Sequence, residues 1–182
     1  VSRDGDKVWV MGASPVKADT DFYPCRESGS TLRFFIPLAM LTQKENLFTG
    51  YGRLMQRPMS VYEKIAKERG IPYKNTAEGI TVGGVLEGGT YTLDADVSSQ
   101  FISGLMFSLS LCQCDSEIIL EGTISSKSYI DMTIGALDCF GVTVLWKNEN
   151  TLYIKGNQEY LCRDAQVEGD YSNGAFLEAF NY

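Results

Sequence analysis

Small polar residues stand at three points of the chain where an apolar or amphipathic helical segment begins. The three turns are Ser28-Gly29-Ser30, Ser98-Ser99-Gln100 and Ser125-Ser126-Lys127. The first turn of a helix has backbone N–H groups without intrahelical partners and carries a partial positive charge, so it can bind a phosphate or a carboxylate. Serine is also a preferred N-cap, and capping is the better explanation for any one turn alone. Three such turns together favour an anion-binding site.

Two arginines occupy positions that helix stability does not explain. Arg57 precedes Pro58, which is typical of the first position of a helix, where the macrodipole disfavours a cation. We therefore predict that Arg57 binds a phosphate or a carboxylate, for which its guanidinium is suited. Arg33 lies one turn into an otherwise apolar helix, so it must reach an internal carboxylate or the site. Lys127 holds the place of Arg57 in the second half of the chain, where a solvated surface role explains it equally well.

The residue types that are missing restrict the chemistry further. The chain has no His, which excludes Ser-His and Cys-His nucleophile pairs and removes the commonest metal ligand. Its five Cys have neither disulfide nor zinc spacing, so we predict reduced thiols that pack mostly in the core of a cytoplasmic protein. Chemistry here would depend on carboxylates, Lys, Arg, Tyr or substrate charge. Gln100 and Tyr129 are weaker candidates, because each is equally explained as a polar residue beside a cap.

The elements that must position these residues form a repeat. Residues 27–84 and 97–156 read as two copies of one unit, offset by about 70 positions. Each copy has a small polar turn, an apolar helix, a short strand, a second helix that stops at Gly, and a closing hairpin. The first helix of each copy, at about 28–41 and 98–111, is apolar nearly all round and should be buried on most sides. The predicted fold class is α/β, with repeated β-α-β-α-β-β units and buried helices.

Length and charge set further bounds. At 182 residues the chain is one domain or one large lobe. The net charge of −7 argues against nucleic-acid binding that depends on neutralising phosphates. No stretch is basic enough for a membrane surface, and no apolar run reaches the roughly 18–20 residues of a transmembrane helix. The polar N-terminus has no secretory signal, and the absence of an initial Met favours a fragment.

Five strings carry a resemblance to a known family. They are CRESGSTLRFFIPLA, GRLMQRPM, DVSSQFISGL, SSKSYIDMT and VEGDYS. Their order and spacing resemble those of the EPSP synthase (3-phosphoshikimate 1-carboxyvinyltransferase) family over essentially the whole chain. The resemblance implies a fold of two lobes, each made of three β-α-β-α-β-β units, with a cleft between the lobes. This chain would be most of one lobe of that enolpyruvyl transferase fold.

The resemblance also implies how the chain is divided. Residues 1–182 would form a single partial lobe. Its parts would be the tail of a first unit at 1–16, a second unit at 17–84, a third unit at 85–166, and a crossover toward the absent second lobe at 167–182. In this last part the local pattern itself predicts a cap, with Asp170 or Ser172 starting a helix over Gly174–Phe180.

The implied reaction is transfer of the enolpyruvyl group from phosphoenolpyruvate to the 5-hydroxyl of shikimate 3-phosphate, in aromatic amino-acid (chorismate) biosynthesis. No metal or organic cofactor is expected. The implied partners are the two small-molecule substrates and the second lobe of the same enzyme, with no nucleic acid and no membrane. Because the second lobe supplies the acid/base carboxylates, the general acid and base are not expected in this chain, and we predict that the chain is inactive alone.

Site residues follow from the resemblance position by position. Ser98, Ser99 and Ser126 match residues that hold the shikimate 3-phosphate. Gln100 matches a residue that touches both substrates, and Tyr129 lies where the family has a tyrosine near the shikimate ring. The family usually has Pro where Ser128 stands, so the turn after Lys127 is expected to differ.

The phosphoenolpyruvate side is implied in the same way. Gly29 matches a glycine of close approach, where a side chain would intrude on the substrate. Arg57 matches an arginine that grips phosphoenolpyruvate, and Gln100 contributes here too. Arg33 matches an arginine on the cleft wall, and it remains a further candidate together with Lys127.

Two alternatives stay open. The related transferase that acts on UDP-N-acetylglucosamine typically has a reactive Cys shortly before its Arg-Pro, whereas Gly50–Gln56 contains none. A non-catalytic anion-binding or RNA-binding module is the other alternative, since similar units occur in ribonucleoprotein contexts. The acidity of the chain and the absence of a basic, aromatic face count against it.

Overall fold

A short antiparallel hairpin opens the computed structural model, which describes residues 1–12 and 20–180. Its strands are β1 (Ser2–Asp4) and β2 (Lys7–Trp9). The alternation of apolar residues over Lys7–Met11 predicts a strand that forms a hairpin with Val1–Arg3, and the structure confirms this hairpin. The proposed boundary between residues 16 and 17 lies outside the described residues.

The first complete repeat builds a four-stranded sheet with two helices. In chain order its elements are β3 (Phe22–Pro24), α1 (Gly29–Ala39), β4 (Asn46–Thr49), a short 3-10 helix (Leu54–Gln56), α2 (Ser60–Arg69), β5 (Tyr73–Asn75) and β6 (Ile80–Val82). The strand order is β3-β4-β6-β5, with β3 parallel to β4 and the other pairs antiparallel. The parallel pair needs a crossover, which α1 supplies.

The second complete repeat has the same topology. Its elements are β7 (Thr90–Asp94), α3 (Ser99–Leu109), β8 (Ser116–Glu121), α4 (Lys127–Cys139), β9 (Val144–Asn148) and β10 (Thr151–Ile154). The strand order β7-β8-β10-β9 repeats that of the first sheet, with β7 parallel to β8 and antiparallel pairs elsewhere. The predicted repeat of β-α-β-α-β-β units is therefore confirmed.

The first helix of each repeat lies in the interior, as predicted, although to different degrees. In α3 nearly every residue from Phe101 to Leu109 is buried. In α1 the buried residues lie on one side, and Phe35 remains 43% exposed. The prediction of burial on most sides is thus right for α3 and too strong for α1. None of the helices in the described residues is long and apolar enough to cross a membrane.

Contacts between α1, α2 and α3 join the two repeats along what we call the inter-unit seam, defined by Arg33, Tyr62, Phe101 and Gly104. The phenol of Tyr62, which is fully buried, donates to the backbone carbonyl of Arg33 at 2.6 Å and to that of Phe101 at 3.3 Å. Burial raises the pKa of Tyr62 well above its usual value, so it remains a donor. A Cβ built on Gly104 would lie 2.4 Å from the carbonyl oxygen of Arg33, so only glycine permits this approach.

The thiols are all free, but their predicted placement is only partly right. Cys25 and Cys112 are buried, and burial raises the pKa of each to about 11. The other three, Cys114, Cys139 and Cys162, are exposed, so the prediction of core packing is wrong for them. They occupy loops and a helix end, where a single sequence does not indicate what covers a side chain.

The C-terminal helix α5 (Tyr171–Ala179) begins earlier than predicted. The backbone N–H of Gly174 donates to the carbonyl of Asp170 at 2.9 Å, which closes a helical turn directly after Asp170. The predicted start at Gly174 and the alternative cap at Ser172 are therefore wrong, whereas Asp170 does precede the helix.

Asp115 provides a pH-dependent contribution to stability. The backbone N–H of Gly156, at 2.9 Å, and the hydroxyl of Tyr153 donate to this carboxylate and lower its pKa. A folded-state pKa below the unfolded value of about 3.9 gives stability that is complete above that value and is lost as the pH falls through the folded pKa.

We expect Asp115→Asn to flatten the loss of stability between about pH 5 and pH 3, because it removes this titration. Urea unfolding midpoints measured across that range would test it, with the exposed Asp138→Asn as the matched control. Equal pH slopes for the wild type and Asp115→Asn would contradict the assignment.

Candidate functional site

Serine hydroxyls cap two of the three helices that begin at the predicted turns. The Oγ of Ser28 accepts from the backbone N–H of Thr31 at 3.2 Å and from its hydroxyl at 2.8 Å. The Oγ of Ser98 accepts from the backbone N–H of Gln100 at 3.4 Å. Ser126 holds the N-cap position of α4 but makes no capping bond, and its Oγ is buried without a partner among the described residues. The hydroxyl of Ser126 is therefore not satisfied by any described residue.

The N-terminal turns of α1 and α3 meet through the side chain of Gln100. Nη1 of Arg33 donates to Oε1 of Gln100 at 2.8 Å and lies 3.4 Å from Oγ of Ser98. Nε2 of Gln100 donates to Oγ of Ser30 at 3.0 Å. Residues about 70 positions apart in the repeat thus share one hydrogen-bonded group.

Gly29 admits the guanidinium of Arg57 to the start of α1. A Cβ built on Gly29 would lie 2.6 Å from Nη1 of Arg57 and 3.8 Å from Oε1 of Gln100. Arg57 is exposed, and its side chain makes no hydrogen bond within residues 1–12 and 20–180. Its guanidinium can therefore bind an anion without first breaking a protein contact.

Two cations share this region without a carboxylate partner. Burial, and then the nearby charge of Arg57, lower the pKa of Arg33. The ion pair between Lys147 and Glu117 involves neither of these arginines. Arg33 was predicted to reach either an internal carboxylate or the site. Its guanidinium contacts Ser98 and Gln100 of the candidate site and no carboxylate of a described residue. It also lies 4.6 Å above the ring of Phe101, which fixes its direction.

The predicted helical position of Arg57 is wrong. Arg57 is extended, with φ −71° and ψ 137°, and α2 begins only at Ser60. A following proline disfavours the α region for the preceding residue, which explains this conformation. Lys127, by contrast, is the first residue of α4, so the two residues do not occupy matching places. The argument from the macrodipole does not apply to Arg57, whereas its proximity to Gly29 supports the same role.

Ser99, Lys127 and Tyr129 are the remaining candidates, and they lie on α3 and α4. Among the described residues, no side-chain hydrogen bond links them to Gln100, Arg33 or Ser30. Ser99 is the first residue of α3. Tyr129 is 56% exposed on α4, and Nζ of Lys127 lies 4.6 Å above the ring of Trp146 on β9. This cation–π contact accounts for Lys127 without a ligand. Helix α4 packs on α3 through the hydroxyls of Ser103 and Thr133, which are 2.8 Å apart.

Ser30 and Tyr62 contact the residues of the candidate site, but Ser30 was predicted only as a member of the Ser28-Gly29-Ser30 turn and Tyr62 was not predicted at all. A signal was available for Ser30, because it and Gln100 are the second residues of equivalent helices. Nothing in the local pattern marks Tyr62, which acts through contacts far apart in sequence. No group of three or more Cys, Asp or Glu that could hold a metal occurs within the described ranges.

Comparison with known proteins supplies the family. The model of the EPSP synthase (3-phosphoshikimate 1-carboxyvinyltransferase) family matches residues 1–180. The chain belongs to the EPSP synthase family. Among its relatives is the 3-phosphoshikimate 1-carboxyvinyltransferase of Clostridium novyi, 44% identical over 170 residues, which cover 92% of this chain and 39% of the relative. The enzyme of the same name from Clostridium perfringens is 41% identical over 179 residues, covering 97% of this chain and 42% of the relative.

A solved EPSP synthase has the same fold. The structure from Acinetobacter baumannii superposes with a TM-score of 0.70 and 23% identity, over 84% of this chain and 34% of that one. The predicted α/β fold of this family is therefore confirmed. This chain of the EPSP synthase family spans about two fifths of the length of the curated relatives named above. Membership of this family favours the interpretation that the chain resembles EPSP synthase. It counts against the UDP-N-acetylglucosamine transferase and the RNA-binding module, the two alternatives left open by the sequence.

Proposed function

We propose that this chain supplies the shikimate 3-phosphate side of a cleft in a transferase. The enzyme would move the enolpyruvyl group from phosphoenolpyruvate to the 5-hydroxyl of shikimate 3-phosphate, with release of phosphate, in cytoplasmic aromatic amino-acid biosynthesis. The observation that carries this proposal is the family match over residues 1–180. The pairing of the α1 and α3 N-terminal turns supports it independently, because the reaction brings two anions together.

The start of α3 suits the shikimate 3-phosphate. The N-terminal turn of this helix offers backbone N–H groups and a partial positive charge to a phosphate. Ser98 and Ser99 stand at this turn, and the unpartnered hydroxyl of Ser126 is available from α4. Tyr129, exposed on the first turn of α4, would face the shikimate ring.

The start of α1 suits phosphoenolpyruvate. Gly29 leaves room beside the guanidinium of Arg57, and that guanidinium can bind a carboxylate or phosphate through two parallel hydrogen bonds. Gln100 stands between the two helix starts and would contact both substrates. Arg33 adds a second positive charge on the same wall.

Because the chain and its proposed substrates are all negatively charged, the cations of the site must act on the substrates over short distances. The chain has a net charge of −7, whereas both substrates are anions. At physiological salt, fields are screened beyond about 8 Å, so the arginines and helix N-termini must act over shorter distances than the net charge does. Most of the task of the protein is then positioning and charge neutralisation.

The chain would depend on a second lobe for turnover. It spans 39% of the Clostridium novyi relative, and neither the resemblance nor the site gives it a general acid or base. We propose the division already stated for residues 1–16, 17–84, 85–166 and 167–182, with the last segment crossing to that lobe. No metal or organic cofactor is required.

Calorimetry with this chain tests the proposal. We expect saturable binding of shikimate 3-phosphate, no binding of shikimate at the same concentrations, and no release of phosphate when both substrates are present. Shikimate is the matched control because it lacks only the phosphate. Absence of shikimate 3-phosphate binding, or a salt-dependent shift with single-stranded RNA instead, would overturn the proposed function. Release of phosphate by the chain alone would refute the dependence on a second lobe.

A further inference from the structure

We propose that Ser30 is a positioning residue which, together with Arg33, fixes the side-chain amide of Gln100 in one orientation toward the substrates. This inference rests on the proposed function and adds to it a residue that makes no substrate contact of its own. Its role would be to decide which end of the Gln100 amide faces the anion.

Two contacts of opposite polarity hold that amide. Oε1 of Gln100 accepts from Nη1 of Arg33 at 2.8 Å, and Nε2 donates to Oγ of Ser30 at 3.0 Å. A guanidinium can only donate, so the oxygen of the amide must face Arg33. Ser30 then holds the nitrogen at the opposite end.

The repeat explains why these two side chains meet. Ser28 and Ser98 are the N-caps of α1 and α3, so Ser30 and Gln100 are each the second residue of their helix. Each side chain therefore stands at the anion-binding end of its own helix. A contact between them links the end of one repeat to the equivalent end of the next.

Arg33, which donates to the amide oxygen of Gln100, is itself held in place. The guanidinium of Arg33 lies 4.6 Å above the ring of Phe101, the residue after Gln100. Tyr62 donates to the backbone carbonyls of both Arg33 and Phe101. Because Arg33 is fixed from both sides, Ser30 is the contact that can be removed without disturbing the inter-unit seam.

The orientation matters because the substrates are anions. With one N–H of Nε2 bound to Ser30, the other N–H remains for an anionic oxygen. Without Ser30, the amide can rotate about its last side-chain bond and lose part of this alignment. The cost would appear in binding of the substrate and not in folding.

Three variants of Ser30 separate this role from simple packing. We expect Ser30→Ala to weaken binding of shikimate 3-phosphate about 3- to 10-fold, the range for one neutral hydrogen bond. Ser30→Thr keeps the hydroxyl and should bind within about 2-fold of the wild type, a difference below the contribution of one hydrogen bond. Ser30→Val has nearly the shape of Thr without the hydroxyl, and should behave like Ser30→Ala.

The side-chain amide of Gln100 gives a readout that packing alone would not move. In ¹⁵N-labelled protein, its NH₂ signals, assigned by their loss in Gln100→Glu, should shift in the Ala and Val variants and return in Ser30→Thr. Unchanged NH₂ signals and affinity in Ser30→Ala would overturn the proposal. If the wild type does not bind shikimate 3-phosphate, the proposed function fails, whereas the NH₂ signals still report whether Ser30 orients the amide.

Discussion

Gly104→Ala is expected to destabilise the chain by about 3 kcal/mol or more, at the upper end of the range for overpacked cores. The new Cβ would lie 2.4 Å from the carbonyl oxygen of Arg33 and 2.5 Å from the hydroxyl of Tyr62. Neither atom can move independently, because the two are hydrogen-bonded to each other. Relief therefore requires α1 and α3 to separate, which also breaks the contact between Arg33 and Gln100.

Unfolding midpoints in urea and by heat measure this effect. For a chain of this size, a loss of that magnitude lowers the melting temperature by about 6–12 °C. Gly135→Ala is the matched control, since Gly135 lies in α4 and a Cβ there would meet nothing within 4 Å. Alanine at such a helical position should stabilise by about 0.5–1 kcal/mol. If both variants shift the unfolding midpoint in the same direction, the close approach at the inter-unit seam does not determine the stability of the chain.

Arg57→Ala should weaken phosphoenolpyruvate binding by about 1–3 kcal/mol, as for a hydrogen bond to a charged group. It should leave stability within about 0.5 kcal/mol, because the side chain is exposed and has no hydrogen bond among the described residues. The Michaelis constant for each substrate, measured on the enzyme completed by its second lobe, separates the two sides of the cleft. Ser99→Ala is expected to affect mainly shikimate 3-phosphate, by a similar amount.

Arg53→Ala is the control for Arg57. It removes the same charge from the same loop, and Arg53 is also exposed. It should leave both Michaelis constants close to those of the wild type, since long-range charge is screened. Equal effects of Arg57→Ala and Ser99→Ala on both substrates, or an effect of Arg53→Ala as large as that of Arg57→Ala, would refute the division of labour.

The fold was predictable because the repeat supplied the same signal twice. The apolar helix, the strand after it and the hairpin occur at the same relative positions in both copies, and the observed bounds of α1 and α3 lie within about two residues of the predicted ones. The exposure of Phe35 was not predictable in this way. Apolar composition indicates that a helix seeks burial, but not which sides find a covering element.

The structure shows which of the predicted site residues lie close together, and which of their contacts the sequence did not indicate. Residue types singled out Arg33 and Arg57, the family resemblance added the roles of Gly29 and Gln100, and the structure brings these four together. Contact of Arg33 with the site was one of two predicted outcomes, but the particular partner was not predicted, because a neutral amide 67 positions away leaves no local pattern. For Arg57 two local rules competed, and the restriction on a residue before proline prevailed over the preference of proline for a helix start.

The inter-unit seam has a consequence for modularity. Each repeat has its own four-stranded sheet and two helices, yet the first repeat carries Ser30 and Arg33 whereas the second carries Gln100. Dividing the chain in the loop between β6 and β7 would separate Gln100 from Ser30 and Arg33, and it would split the one hydrophobic core to which both repeats contribute. In the proposed function, recognition of the ligand thus requires both copies of the repeat, because neither copy carries all three side chains.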